Sequence, residues 1–312
     1  MGVLGVEEWA GAQWMWGDAP ADREGHFYFR RAIELKNGSV TRARAYVTAS
    51  HLYELFVNGA RVGKGPAFAY PDYQLYQTID LTEALRRPGG HVIGLTARWF
   101  GSGQGRPEAR GGVLLKIVIS FTDGTEVVFG SGPDWKVRKA EWRVPDAKVS
   151  ARNFRNGEGI PLESIDAREA PVGWPARGFD DSAWGRPLVL GAHPTAPWTG
   201  ALIAQETSIV EHELAPVSVR ELTPTRFVAD FGRVYAGRPL VTFDDGRAGA
   251  PVTVTADYRA QPDGSLKGFA QSTRMEYGYT LRGGGETFEP YGYLGFRHPI
   301  GNCWFMIDSK LF

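Results

Sequence analysis

Apolar and polar residues alternate one by one along much of the first 140 residues. The stretches 26–35 and 41–50 show this period of two and are separated by Lys-Asn-Gly-Ser, a turn sequence. A third alternating stretch, 52–65, is interrupted at Asn58-Gly59, and these two residue types suit the positive φ angles of a two-residue hairpin turn. The pattern therefore predicts a series of short antiparallel strands.

The alternation continues further along this half of the chain. A predicted strand that ends near residue 80 is followed by a short helical turn, which Thr82 can cap and Gly89-Gly90 end. Residues 91–100 and 111–138 predict three more strands, with a turn at Asp123-Gly124. Because no helix of ordinary length is indicated, these short strands and frequent turns are typical of a β-sandwich.

The middle of the chain, 140–215, has a different character. It is rich in Pro, Trp and acidic residues and has weak periodicity, so it predicts long ordered loops that cross back over the sandwich. A second series of alternating stretches follows, and the Pro/Gly-rich stretch 191–200 reads as a connector. The sequence thus predicts an all-β protein of two consecutive antiparallel β-sandwich domains, 1–200 and 201–312.

Composition limits the classes of function. The chain has 312 residues, of which 43% are apolar, and 35 basic residues balance 35 acidic ones. We therefore expect a globular protein with no net charge to attract nucleic acid or an anionic membrane. Cys303 is the single cysteine, which excludes an intrachain disulfide. The N-terminus lacks a signal-peptide pattern and no long apolar stretch occurs, so a cytoplasmic location is expected.

The ten tryptophans and 40 glycines give the first hint of chemistry. Chains rich in Trp, Gly and turns are frequent among β-proteins that handle carbohydrates, because an indole face stacks on the apolar face of a sugar ring. Most tryptophans in any fold nevertheless serve as core residues, and this reading applies to each one until a site is identified.

Four segments, taken together, are more specific than composition. They are RRAIEL followed by ARAYVTASHLYELFVNGARVGKGPAF and YQTIDLTEALRRPGGHVIGL; NGEGIPLESIDARE followed by GWPARGFDDSAW; FVADFGRVYAGRPLVTFDDGRAGAPVTVTADY; and EYGYTLRGGGETFEPYGYLGFR. In this order they resemble the N-terminal β-sandwich domains of bacterial α-L-rhamnosidases of glycoside hydrolase family 78. The resemblance extends over roughly residues 9–297 and implies jelly-roll, galactose-binding-like sandwiches.

The resemblance also implies where catalysis takes place in the family. Family members carry the acidic pair of an inverting glycosidase on an (α/α)6 barrel, with carboxyl groups about 6.5–9.5 Å apart. This sequence shows no helical periodicity for such a barrel, so we expect it to be inactive alone and to contribute carbohydrate recognition and scaffolding. The alternative is a free-standing, lectin-like carbohydrate-binding or interaction protein.

The tail HPIGNCWFMIDSKLF departs from the composition of the preceding chain. Two interpretations are open: a truncated or altered end of the second sandwich, or a short tail that packs as one last strand. In the first case, an apolar face that normally packs on the barrel would be exposed, and such faces tend to find partners. We therefore expect a homo-oligomer that forms through this C-terminal domain.

Two acidic pairs have simple structural explanations. Asp180-Asp181 precedes Ser182 and reads as a turn or cap, while Asp244-Asp245 precedes Gly246 and predicts a hairpin turn.

The six histidines show no metal-binding spacing and none lies near a serine elbow, so metal hydrolysis and acyl transfer have no support.

The candidate site lies in the 150–175 segment. Carbohydrate recognition needs oxygen donors and an aromatic face, and this segment supplies Asn153, Asn156, Glu158, Asp166, Arg168 and Trp174. The resemblance further implies a rhamnose-containing ligand and allows calcium, with Glu158 and Asp166 as its carboxylate ligands. The alternative is that Glu158 and Arg168 form a salt bridge and that Trp174 and Trp184 plug the sandwich.

Three tyrosines beside the first hairpin remain without a role. Tyr70, Tyr73 and Tyr76 follow each other at intervals of three, which does not keep them on one face of a strand. At least one of them is therefore expected to point into a cleft.

Overall fold

The computed structural model describes residues 3–4, 6–18, 25–36, 38–66, 69–101, 109–143, 163–207, 210–270, 273–301 and 306–311. In this part of the chain the fold is all-β, as predicted: apart from two short 3₁₀ turns, Val6–Trp9 and Pro71–Tyr73, the regular elements are strands. Neither turn has the length needed to cross a membrane. The chain divides into two compact units, 1–140 with 171–207 (unit 1) and 141–170 with 208–312 (unit 2).

This division differs from the predicted boundary at residues 200 and 201. The sequence pattern places 141–170 in the first sandwich, whereas the described part of this segment joins unit 2. The physical reason is a parallel strand pairing there, which places Glu163 opposite Tyr277. Glu163 is fully buried, and its carboxylate accepts hydrogen bonds from the backbone N–H groups of Tyr291 (2.8 Å) and Gly292 (2.7 Å).

Unit 1 begins with eleven strands. They are β1 (Val3–Leu4), β2 (Gln13–Trp16), β3 (Gly25–Leu35), β4 (Val40–Ala49), β5 (Leu52–Val57), β6 (Ala60–Gly65), β7 (Leu75–Asp80), β8 (Gly89–Trp99), β9 (Val113–Phe121), β10 (Glu126–Gly130) and β11 (Lys136–Lys139). Strands β12 (Trp142–Arg143) and β13 (Glu163–Asp166) belong to unit 2, after which β14 (Leu188–Ala192) and β15 (Leu202–Ala204) complete unit 1.

Two sheets form the sandwich of unit 1. One has the order β1-β15-β7-β4-β9-β2-β14, with β10 added beside β9, and the other has the order β11-β3-β8-β5-β6. The pairs are antiparallel except for β15 with β7. The predicted turn at Asn58-Gly59 joins β5 to β6, and φ is 50° at Asn58 and 93° at Gly59, which confirms the hairpin.

The core of unit 1 follows directly from the alternation in the sequence. On β9 the residues Val113, Leu115, Ile117 and Ile119 point inward and are fully or almost fully buried. They pack against inward-facing residues of the other sheet, among them Phe29, Leu95 and Leu55. Burial of these faces is the main stabilising contribution, because each large apolar side chain removed from water contributes about 1.5–3 kcal/mol.

Unit 2 contains the remaining strands. They are β16 (His212–Leu214), β17 (Ser218–Thr223), β18 (Arg226–Asp230), β19 (Tyr235–Gly246), β20 (Pro251–Asp257), β21 (Phe269–Ala270), β22 (Thr273–Arg274), β23 (Glu276–Thr280), β24 (Gly284–Phe288), β25 (Leu294–Phe296), β26 (His298–Gly301) and β27 (Met306–Leu311). One sheet has the order β12-β13-β23-β20-β26-β18-β17, and the other has the order β16-β27-β19-β24, with β25 beside β19. Strands β21 and β22 form a separate pair.

This unit tests one turn prediction and shows how part of the tail packs. The hairpin turn predicted at Asp244-Asp245-Gly246 is wrong, because these residues form the end of β19, where the register with β24 is irregular. The described part of the tail packs as a strand, as one of the two interpretations held: β27 lies between β16 and β19. Cys303 lies outside the described residues.

Candidate functional site

The described residues contain half of the predicted site. Asn153, Asn156 and Glu158 lie outside them, whereas Asp166, Arg168 and Trp174 lie within. Asp166 and Arg168 belong to unit 2 and Trp174 belongs to unit 1. Each described candidate is therefore considered in its own surroundings.

Asp166 and Arg168 form an ion pair at the end of β13. Nε of Arg168 donates to Oδ1 of Asp166 at 2.9 Å, and a terminal nitrogen of Arg168 donates to Oδ2 at 2.7 Å. The backbone N–H of Arg168 also donates to Oδ1, at 3.1 Å. These bonds to the carboxylate raise the pKa of the Arg168 guanidinium. Both oxygens of Asp166 are thus already used.

This pairing tests the fit of calcium at Asp166. Calcium takes about 6–8 oxygen ligands, and at Asp166 it would compete with the guanidinium that donates to both carboxylate oxygens. Within the described ranges, no group of three or more His, Cys, Asp or Glu side chains is arranged to hold a metal ion. Glu158, the other predicted ligand, lies outside the described residues, so the calcium site stays a prediction.

Trp174 packs inside an aromatic cluster on the outer face of the β3–β8–β5 sheet. Its ring centroid lies 4.9 Å from that of Tyr28, 5.3 Å from that of Phe56 and 6.2 Å from that of Trp184. The ring covers Gly94, where a Cβ atom would come within 2.8 Å of it. With 8% of its surface exposed, Trp174 is an anchor for the segment 171–184, and sugar stacking would require the ring to leave this cluster.

Arg30 fixes the same segment through its charge. Its Nε donates to the carbonyl oxygen of Trp174 at 2.9 Å, and a terminal nitrogen donates to that of Ala176 at 3.1 Å. The other terminal nitrogen pairs with the carboxylate of Asp181. The neighbouring Asp180 accepts from the backbone N–H of Ser182 at 2.9 Å, as expected of a turn residue. The Asp180-Asp181 pair is thus structural.

Asn58 does more than turn the hairpin. Its Oδ1 accepts from the backbone N–H of Val92 at 3.0 Å and from Nε of Arg177 at 3.1 Å, while its Nδ2 lies 2.9 Å from Nδ1 of His91. Nε2 of His91 lies 2.7 Å from the carbonyl oxygen of Arg87, an acceptor, so Nε2 carries the proton and Nδ1 accepts. The Asn-Gly turn therefore also holds the 171–184 segment, which the sequence pattern did not reveal.

The three tyrosines after this hairpin separate into two kinds. Tyr76 is buried and meets Trp9 edge to face, with ring centroids 5.5 Å apart. Tyr70 and Tyr73 are exposed on the Pro71–Tyr73 turn. The sequence indicated that the three could not share one face, and the structure agrees.

Unit 1 also contains a pocket of about 500 Å³ that sequence reasoning missed. It is lined by residues 9–13 together with Ala192 and His193. Burial lowers the pKa of His193, which favours its neutral form. No sequence motif marks this pocket, because the two segments that line it are about 180 residues apart along the chain and meet where β2 pairs with β14.

Comparison with known proteins matches residues 38–221 to the family described as the alpha-L-rhamnosidase N-terminal domain. The α-L-rhamnosidase of Streptomyces avermitilis is 31% identical over 299 residues, which cover 91% of this chain and 27% of that protein. An α-L-rhamnosidase of Formosa agariphila is 29% identical, with 87% of this chain and 29% of that protein covered. The chain thus spans less than a third of the length of these relatives.

Solved structures give the same result. The S. avermitilis α-L-rhamnosidase in complex with L-rhamnose superposes with a TM-score of 0.75 at 28% identity, covering 95% of this chain and 30% of that one. The enzyme of Dictyoglumus thermophilum superposes with a TM-score of 0.79 at 21% identity, covering 98% and 36%, which supports the fold. The family match covers more than half of this chain, and the chain therefore belongs to the α-L-rhamnosidase N-terminal domain family.

Proposed function

We propose that this chain acts as a non-catalytic β-sandwich part of an α-L-rhamnosidase, where it recognises rhamnose-containing carbohydrate and scaffolds the enzyme. The observation that carries the proposal is the match to the rhamnosidase N-terminal domain in a chain that spans less than a third of its relatives. The catalytic pair would then belong to a part of the enzyme outside the matched region.

Three buried or paired carboxylates have structural roles, which supports a non-catalytic part. Glu163 is fully buried and holds two backbone N–H groups. Glu286 accepts from the hydroxyl of Tyr279 at 2.7 Å and from the backbone N–H groups of Arg282 and Gly283. Asp181 is paired with Arg30. Each of these groups stabilises its own unit, and an inverting glycosidase needs instead two carboxyl groups that face each other across open space.

The carbohydrate ligand is inferred from the relatives. The S. avermitilis enzyme was solved with L-rhamnose bound, and it is 28% identical to this chain. Recognition by the 150–175 segment remains our proposal for Asn153, Asn156 and Glu158. The Asp166–Arg168 pair offers sugar hydroxyls the guanidinium of Arg168, whose side chain is 54% exposed.

Two measurements on the purified chain test the proposal. Isothermal titration should show binding of L-rhamnose and weaker binding of D-glucose. Incubation with p-nitrophenyl α-L-rhamnoside should release no nitrophenol above the rate in buffer. Turnover by the chain alone would show that it carries a catalytic pair, and absence of any heat with L-rhamnose would remove the recognition role.

A further inference from the structure

The turn at Pro71–Tyr73 presents two tyrosines to solvent. Tyr70 is its N-cap residue, and the N–H of Tyr73 donates to the carbonyl oxygen of Tyr70 at 2.9 Å. Tyr70 is 53% exposed and Tyr73 is 60% exposed, the two highest values among the large aromatic side chains that the structure describes. Neither side chain belongs to the buried core clusters of unit 1.

The backbone beneath these tyrosines is held firmly. Gly200 packs so closely on the turn that a Cβ atom there would lie 1.9 Å from the carbonyl oxygen of Asp72. Gln74 is buried, and its Nε2 donates to Oγ1 of Thr48 and to the carbonyl oxygen of Ala49, both at 3.0 Å. Exposed side chains on a fixed turn are typical of recognition surfaces, because little conformational entropy is lost on binding.

The chemistry of the turn selects one kind of ligand. Tyr70 has extended backbone (φ −86°, ψ 149°) immediately before the turn, and Tyr73 is the last residue of the turn, so both tyrosines lie on one short exposed segment. Each ring offers an apolar face and a hydroxyl. Asp72, exposed between them, offers carboxylate oxygens that only accept hydrogen bonds.

A pyranose ring has the complementary features, an apolar C–H face and hydroxyl donors, whereas an anionic ligand would be repelled by Asp72. We propose that Tyr70, Asp72 and Tyr73 form a binding surface for a neutral saccharide, with the tyrosines stacking on pyranose rings and Asp72 accepting from hydroxyl groups. This inference rests on the proposed carbohydrate-recognition function and gives it a location outside the 150–175 segment.

The test is a titration of the whole chain with L-rhamnose and with a neutral rhamnose-containing disaccharide. Tyr70→Ala and Tyr73→Ala should each weaken binding about three- to tenfold, the effect expected from loss of one aromatic contact. Tyr73→Phe should keep most of the affinity, because the stacking face remains. Tyr293→Ala is the matched control, since Tyr293 is 51% exposed but lies in unit 2.

Each outcome has a distinct meaning. A wild type that binds the sugars while the Tyr70→Ala/Tyr73→Ala double variant binds equally well would overturn this inference and leave the proposed function intact. A wild type that binds neither sugar would overturn both. If light scattering showed that the double variant loses a dimer while sugar affinity is unchanged, the turn would be a contact between copies of the chain and the inference would be wrong.

Discussion

Trp14 and Trp198 stack face to face, with ring centroids 3.9 Å apart and planes 7° from parallel. Both side chains are fully buried. Trp14 lies on β2 near the start of unit 1, and Trp198 lies in the segment that returns to this unit after residue 170. The stack therefore fastens the returning segment to the outer face of the first sheet, where Leu114, Leu202 and Tyr76 complete the cluster.

The stack predicts a strong effect of a very small substitution. A Cβ atom on Gly112 would lie 2.3 Å from Trp198 and 3.1 Å from Trp14, and neither ring has free space to move into. Gly112→Ala should lower the free energy of unfolding by about 1–3 kcal/mol, the usual range for overpacking. Chemical denaturation followed by tryptophan fluorescence measures this change.

Gly185→Ala is the control for that substitution. A Cβ atom there would meet its nearest neighbour, the carbonyl oxygen of Val137, at 3.8 Å, an ordinary contact. Its midpoint of denaturation should stay within error of the wild type. Equal midpoints for Gly112→Ala and Gly185→Ala would contradict the prediction, because they would show that the two tryptophan rings move to accommodate the added methyl group.

A second prediction concerns the two roles of Asn58. Asn58→Ala removes the hydrogen bonds to Val92 and Arg177. It also places alanine, which has a Cβ atom but no side-chain amide, at φ 50°. Asn58→Gly removes the same bonds but tolerates positive φ. We expect Asn58→Ala to be less stable than Asn58→Gly by about 1 kcal/mol, the cost of the left-handed conformation.

Thermal unfolding of the two variants and the wild type separates these contributions. The difference between wild type and Asn58→Gly reports the hydrogen bonds of the side chain, together with the backbone entropy of glycine. If Asn58→Ala proved as stable as Asn58→Gly, the positive φ angle would carry no strain.

How far the sequence predicts this molecule depends on the range of the interaction involved. The β5–β6 hairpin and the alternation on β9 are local, so period and turn chemistry were sufficient to predict them. The pairing of β13 with β23 joins Glu163 to Tyr277 across more than 100 residues, and no local signal marks it. For this reason the sequence assigned 141–170 to the other unit.

The candidate site shows the same limit. The residue types in the 150–175 segment predict sugar recognition equally well whether a side chain is exposed or buried, and sequence does not distinguish the two. Trp174 is an attractive stacking residue by type, yet Tyr28, Phe56 and Trp184 surround it. Exposure of Tyr70 and Tyr73 is likewise a property of the fold, since Tyr76 at the next interval of three is buried.

A third prediction follows from His26, which is buried on β3 opposite Arg98 of β8. Burial, and then the charge of Arg98, lower the pKa of the His26 imidazole well below 6.5. The folded protein therefore keeps this residue neutral, while the unfolded chain takes up a proton as the pH falls below about 6.5. The contribution of His26 to the free energy of unfolding is therefore complete above that pH. Below it, the contribution falls by up to about 1.4 kcal/mol per pH unit.

The pH dependence of unfolding in His26→Leu provides the measurement. Between pH 7.5 and 5.5 the free energy of unfolding of the wild type should fall more steeply than that of the variant. His193, whose pKa burial also lowers, remains in both proteins and contributes the same slope to each. Parallel curves would mean that His26 takes up its proton in the folded state.

The last prediction concerns acid stability of unit 2, through Asp230 at the end of β18. Oδ1 of Asp230 accepts from Nε of Arg297 at 2.7 Å and from the backbone N–H of Gly232 at 2.7 Å, and Oδ2 accepts from a terminal nitrogen of Arg297 at 2.8 Å. Chiefly through the Arg297 bonds, the pKa of Asp230 falls to about 2. A carboxyl group whose pKa is lower in the folded state stabilises the fold above its unfolded pKa, near 3.8, and this contribution is lost as the pH falls from there toward 2.

Asp230→Asn should therefore be less stable than the wild type at pH 7, and the difference should shrink between pH 4 and pH 2. Removal of the exposed carboxylate of Asp245 by Asp245→Asn gives the control, which should follow the wild type throughout. Denaturation of the three proteins at pH 7, 4 and 2.5 decides the point, because a difference that stayed constant with pH would show that Asp230 acts through the shape of its side chain and not through its charge.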